Sequence, residues 1–364
     1  MTGQSNIPAD WDAWLESAGR EASFTQTACW ARISEGVNGC VPYVLEVRLA
    51  GRRVGGALFG HSLPVVTSPI QRARLSFSGI ARGRLECFGG PVINSDDPAE
   101  ILDQLLSETD ALASRLRVTS VHFGAHSTAS WTAREGVGRV FDKFGYHETP
   151  WQTALVDLTV PTEQLYAGFR QAARKGIRRC KELGVTVREC RDSNDYLEHF
   201  ARPLFATRKQ LGQSRVEDAA EKHWWDLDPG RQYRYFIAQD HQGQTLGTLG
   251  TYRWNAVVTE IMSERTRPAR EANLPVQDIL HWEAFLAHRE LSDRLFDLGG
   301  FSPKPSDEKE RGIRAFKEKW KGRIVAVPRF ERTLLPARYR WSRAAYRWLK
   351  GNRQQIPRRS INVG

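Results

Sequence analysis

The sequence contains no long hydrophobic run. No stretch approaches the length a helix needs to cross a bilayer, so no integral membrane segment is expected. The opening MTGQSNIPADWDAWLESAG has neither a basic region nor an apolar core, and no signal peptide is expected. Cysteine is sparse. Cys29, Cys40, Cys87, Cys180 and Cys190 are scattered without a CxxC pair, which excludes a disulfide framework or zinc ribbon and fits reduced, packed thiols. No GxGxxG follows a strand and no GxxxxGK[ST] occurs, which disfavours dinucleotide and P-loop sites. There is no GxSxG elbow either. His122 and His126 have a metal-compatible spacing, but they bracket Phe-Gly-Ala at a strand end with no third ligand in view. A sequence with no evident nucleophile or metal set fits direct transfer between two bound substrates, where positioning and electrostatics carry the rate.

What is present is soluble and globular in composition. With 364 residues the chain has room for two ordinary domains, and 26% charged residues argue against a membrane protein. The net charge of +11 is unevenly placed. From Arg329 to the end there are ten basic residues and one acid, Glu331, so the body is nearly neutral and the tail strongly basic. Such a tail favours a polyanion: nucleic acid, a phosphorylated substrate or an anionic membrane surface. In RYRWSRAAYRWLK a helix would set Leu335, Tyr339, Ser342, Tyr346 and Leu349 on one side and Arg340, Arg343, Arg347 and Lys350 largely away from it. Three readings stay open for this segment: docking on the body, grip on tRNA phosphate, or contact with a membrane interface.

An internal repeat organises the body. VLEVRLAGRRVGGALFG from Val44 and FIAQDHQGQTLGTLGTY from Phe236 both read as strand, Gly turn, strand. Gly51, Val54 and Gly55 match Gly243, Leu246 and Gly247 at one constant offset. Farther on, segments starting Ile-Leu at Ile101 and Ile279 show a helical period, then a short apolar strand ending near glycine. Between the halves, Thr153 to Leu158 reads as a strand. A helix over 162–183 follows, with Leu165, Phe169, Ala173, Ile177 and Cys180 on one buried face; VTVREC after Gly184 is another strand.

Four stretches together resemble the Fem family of aminoacyltransferases: FTQTACWARI, CFGGPVI, the bridging WQTALVDL…LYAGFRQAARKGIRRCKELGVTV, and DLGGFSPKPSDEKERGIRAFKEKWKG. The resemblance runs over roughly residues 20 to 330. It implies an α/β (mixed α+β) fold of two tandem GNAT-like domains, each a mostly antiparallel mixed sheet flanked by helices. The expected division is 1–160 for the first domain, 161–330 for the second with its bridging helix at 162–183, and 331–364 for the basic amphipathic tail. It further implies transfer of an amino acid from aminoacyl-tRNA to an amine of a peptidoglycan precursor or related peptide-like acceptor, without a covalent enzyme intermediate. No cofactor is implied beyond the aminoacyl-tRNA co-substrate. The expected setting is a cytoplasmic monomer, with peripheral contact to the inner face of the membrane.

The resemblance also distributes roles. Lys317 matches the lysine after phenylalanine in the closing motif, and a cation there suits an oxyanion or substrate phosphate. It also reads as one lysine of a solvated basic face with Lys319 and Lys321. Phe316 reads as the core anchor that aims it. Asp297, ahead of Gly299 and Gly300, either holds the attacking amine or caps the following turn. Arg208, Arg32 and Trp30 are the expected contacts to the acceptor, with Trp30 also readable as core. Gly89, Gly90 and Pro91 form a turn or a wall of the cleft. Arg340, Arg343, Arg347 and Lys350 are the tRNA or membrane contacts. Two other functions compete: an acyl-CoA-dependent N-acyltransferase of surface-polysaccharide synthesis, using acetyl- or acyl-CoA, and a non-catalytic RNA- or membrane-binding protein. The run SERTRPAREANLPVQDIL has no glycine between Ser263 and Leu280, which argues against a CoA pyrophosphate turn.

Overall fold

A computed structural model describes residues 7–62, 83–210, 224–228 and 230–334. The tail residues Arg340, Arg343, Arg347 and Lys350 lie outside the described residues. Strands β1 (Val41–Leu49), β2 (Arg52–Ser62), β3 (Arg84–Phe88), β4 (Val92–Ile93), β5 (Ser120–Gly124) and β6 (His147–Thr149) lie in a first sheet. Strands β7 (Gln152–Asp157), β8 (Thr186–Glu189), β9 (Tyr233–Gln239), β10 (Thr245–Trp254), β11 (Val257–Arg265), β12 (Leu295–Asp297) and β13 (Arg323–Ala326) lie in a second. The last, β14 (Arg329–Thr333), returns to the first sheet. The helices used below are α1 (Ala28–Asn38), α2 (Pro98–Leu116), α3 (Thr162–Gly168), α4 (Gln171–Glu182), α5 (Arg202–Gln210), α6 (Val276–Glu290) and α7 (Glu308–Glu318).

Both halves of the repeat are antiparallel hairpins, β1–β2 and β9–β10. Their turn glycines Gly51 and Gly243 both take left-handed backbone, φ +81 and +78, which L side chains rarely adopt. The other matched pair has a packing cause. A Cβ on Gly55 would fall 2.3 Å from Ile101 Cγ2 of α2, and one on Gly247 would fall 2.9 Å from Val276 Cγ2 of α6. Each glycine lets the following crossover helix lie against its hairpin. After that helix the chain re-enters the sheet as a parallel strand: β3 beside β5, and β11 beside β12. A parallel partner requires such a crossover connection.

Two expectations are corrected. The bridging helix at 162–183 is two helices, α3 and α4. Phe169 and Arg170 are extended between them, at ψ 152 and 151. Tertiary contacts hold the break open: Phe169 packs edge-on against Trp282 and Trp320, and Arg170 N–H donates to Lys319 O at 2.9 Å. Leu165, Phe169, Ala173, Ile177 and Cys180 are nonetheless all buried in the second core. The sheets also do not divide at residue 160. β7, from the expected first domain, lies between β12 and β13 in the second sheet, and β14 lies between β5 and β6 in the first. The two sheets thus exchange strands, and the crossing points, Trp151 and Val327–Pro328, lie together: Val327 N–H donates to Trp151 O at 2.8 Å.

Candidate active site

The parallel pair β11–β12 is short. Val257, Val258 and Thr259 face Leu295, Phe296 and Asp297, and there β12 ends while β11 continues to Arg265. Glu260 is therefore the first residue of β11 past the parting, opposite the Asp297–Gly300 turn. The turn is built by Asp297, whose Oδ1 accepts from Gly299 N–H at 2.8 Å and from the Thr153 hydroxyl on β7. The same hydroxyl lies 2.8 Å from Gly299 O, so its single proton is shared between the two acceptors. Gly299 has φ +75, and a Cβ there would meet Lys317 Nζ at 3.2 Å and Glu260 O at 3.3 Å. The left-handed backbone favours glycine, and a side chain would also crowd Lys317.

Lys317 enters this opening from α7. Asp307 starts that helix by accepting from Glu310 N–H at 2.8 Å. Lys317 is 9% exposed, and its ammonium donates to Gly299 O at 2.7 Å and Gly300 O at 3.2 Å. An ammonium has three protons. The third has no acceptor among the described residues. Burial pushes the Lys317 pKa below the ordinary lysine value, while nearby Glu260 and Asp297 act the other way.

Behind Lys317, His281 and Glu260 form a hydrogen-bonded pair. His281 Nδ1 stands 2.7 Å from Gln277 O and so donates there; Nε2 stands 3.1 Å from Glu260 Oε2. Burial raises the Glu260 pKa, but His281 and then Lys317 outweigh it and hold the carboxyl below its usual value. Phe316 packs edge-on to His281 at 5.0 Å, on the core side of α7, and Lys319 Nζ lies 4.0 Å over its ring. In the loop after β5, His126, 7% exposed, interacts with Asp297; burial lowers its pKa from 6.5 to about 4, and Asp297 opposes the shift.

Lys317, Asp297, Gly299, Gly300 and Phe316 thus converge. The remaining candidates lie elsewhere. Arg208, on α5, pairs with Glu264 at 3.5 Å on the same strand as Glu260. Arg32 is exposed on α1. Trp30 packs edge-on to Phe24 at 6.4 Å and lines a small cleft with Cys40, Pro42, Glu86 and Phe88. Gly89, Gly90 and Pro91 follow β3, and the close approach their glycines permit is to Ser23, Thr25 and Gln26 of this chain. Gln26 holds that segment by donating to Phe88 O at 2.7 Å and accepting from Leu58 N–H at 2.8 Å. The residues missed in the sequence are Glu260, His281 and Thr153, while His126 had been noted only for its spacing from His122. Glu260 and His281 carried a weak local signal, as polar groups in the largely apolar runs VVTEIM and ILHWEAF.

No family model and no curated protein sequence matches the chain. Solved structures do. FemX superposes with a TM-score of 0.67 at 13% identity, covering 91% of this chain and 97% of its own. The L-PGS structure from Bacillus licheniformis gives 0.54 at 15%, covering 95% and 99%. A tandem GNAT protein from the clavulanic acid biosynthesis pathway gives 0.53 at 13%, covering 90% and 96%. The fold is therefore the tandem, mixed α+β, Fem- and GNAT-like one. At these identities the likeness is one of fold.

Proposed function

We propose that the protein is an acyltransferase that moves an amino acid from aminoacyl-tRNA to an amine of a peptidoglycan precursor or similar peptide-like acceptor. One observation carries this: a buried lysine at a parted strand end, oriented by two carbonyls, with its third N–H unpaired among the described residues. The fold shared with the FemX and L-PGS structures supports the reading. In the reaction the amine attacks the ester carbonyl, a C–N bond forms, and the ribose oxygen leaves. The proton lost by the amine ends on that oxygen. Lys317 would stabilise the intervening oxyanion, the role a preorganised donor fills best in a water-poor site. Asp297 would act on the amine through Oδ2, which makes no hydrogen bond among the described residues; Oδ1 is held by the turn. The loop from Phe301 to Ser306 would close over the substrate.

The acyl-CoA reading is disfavoured by the start of α6. A pyrophosphate would sit at that N-terminus, yet Asp278 in its first turn already places a carboxylate there, ion-paired with Lys319. The test is single-turnover transfer of radiolabelled amino acids from charged total tRNA to nucleotide- and lipid-linked muropeptide. Label transfer that collapses in Lys317→Ala supports the proposal. No transfer with acetyl-CoA consumed in the same mixture overturns it.

A further inference from the structure

Arg329 opens β14 where the chain crosses between the sheets, and its guanidinium lies 4.0 Å over the Trp151 ring. Two other arginines are ion-paired. Arg332 on the same strand meets Asp110 at 2.6 Å, and Arg314 on α7 meets Glu318 at 2.7 Å. Among the described residues no carboxylate lies within ion-pair distance of Arg329. The side chain is solvent-accessible, and partial burial against the indole pushes its pKa down with no charge to offset it.

Trp151 is fixed from both sides. Gln152 and Phe301 exchange hydrogen bonds of 3.1 and 2.7 Å, which sets Trp151 beside Gly300. A Cβ on Gly300 would fall 1.8 Å from Trp151 Nε1, and that buried N–H has no partner among the described residues. The carbonyl of Gly300 is 3.2 Å from Lys317 Nζ. One glycine thus connects two cations: Lys317 at its carbonyl, and Arg329 through the indole at its Cα.

We infer that Arg329, stacked on Trp151 at the crossing of the two sheets, binds the phosphate of the nucleotide that carries the acyl group. This rests on the transfer reading above. A planar guanidinium with no counter-ion offers a fork of N–H donors that matches phosphate, and stacking fixes its plane. Position favours the donor. The phosphate of an acylated terminal nucleotide stands only a ribose away from the acyl carbon held at Lys317. A precursor's diphosphate stands a sugar and a peptide away from the attacking amine, too far for two cations that share one glycine.

Isothermal titration with adenosine, adenosine monophosphate, uridine and uridine diphosphate tests this on wild type, Arg329→Gln and Arg329→Lys. The wild type should bind adenosine monophosphate about tenfold or more tighter than adenosine, the range of one charge-assisted contact. Arg329→Gln should bring the two within about twofold, and Arg329→Lys, which keeps charge but loses the fork, should fall between. If Arg329→Gln does not fold by circular dichroism, the Arg329→Lys ratio decides. Equal binding of both adenosine ligands by wild type overturns the inference, as does an unchanged preference in the variants. Loss confined to uridine diphosphate also overturns it, by assigning Arg329 to the acceptor. Binding needs no turnover, so these outcomes are independent of whether amino acid transfer is observed.

Discussion

Lys317 Nζ donates to the Gly299 carbonyl at 2.7 Å and occupies the space a side chain on Gly299 would take. The pair joins α7 to the end of β12 and converts a strand end into a site with an oriented cation. If that cation serves the transition state, Lys317→Ala should lower single-turnover transfer by about a hundredfold to a thousandfold. Folding should be little affected, because removing a desolvated charge offsets the lost contacts. A change below about threefold would remove Lys317 from the chemistry.

Glu260 and His281 form a buried pair at 3.1 Å, with His281 fully buried. Glu260→Gln removes the carboxylate that His281 Nε2 faces. Breaking such a pair typically costs about 3–5 kcal/mol. A urea titration should show a large fall in midpoint, and an unchanged midpoint would mean that the pair contributes nothing. Transfer should fall as well, because Glu260 is a charge that faces Lys317.

Acid stability should depend on His126. Its folded pKa is depressed from 6.5 to about 4 by burial. Between those values the unfolded chain binds more protons than the native one, so stability rises with pH across that window and is lost as pH falls through it. The full effect is on the order of 3 kcal/mol. Thermal unfolding of His126→Asn from pH 7 to pH 4 should show a shallower decline than wild type. Parallel curves would show that His126 does not drive it.

Gly176 in α4 should resist replacement. Alanine gains about 1 kcal/mol in helix propensity. Here, however, a Cβ would fall 2.0 Å from Asp278 Oδ2 on α6, and Asp278 is itself bound to Lys319. Gly176→Ala should therefore destabilise, and Asp278→Asn should not rescue it, because the amide fills the same space. A stabilised Gly176→Ala would show that α4 and α6 can separate at little cost.

Much of the fold was legible. The hairpins, the helices after them and the short apolar strands that follow come from periods of two and of about 3.6 residues and from glycine turns; that those strands pair in parallel did not. Phe169 was legible as buried but not as a break, because its extended backbone is imposed by Trp282, Trp320 and the Lys319 carbonyl, all distant in sequence. The site was half legible. Lys317, Gly299 and Gly300 come from one continuous stretch, whereas Thr153, Glu260 and His126 reach it from three other elements.

The sequence alone determined the class of fold, the duplicated hairpin and the lysine that follows Phe316, since each is written in local order or in self-similarity. Tertiary structure decided which sheet each strand joins. A strand's sequence carries its period and its apolar face but not the name of its partner, so nothing in QTALVD or RFERT shows that they exchange sheets. That exchange brings Trp151 and Arg329 beside Gly300 and Lys317, and it exists only because two distant edges found backbone partners in the opposite half.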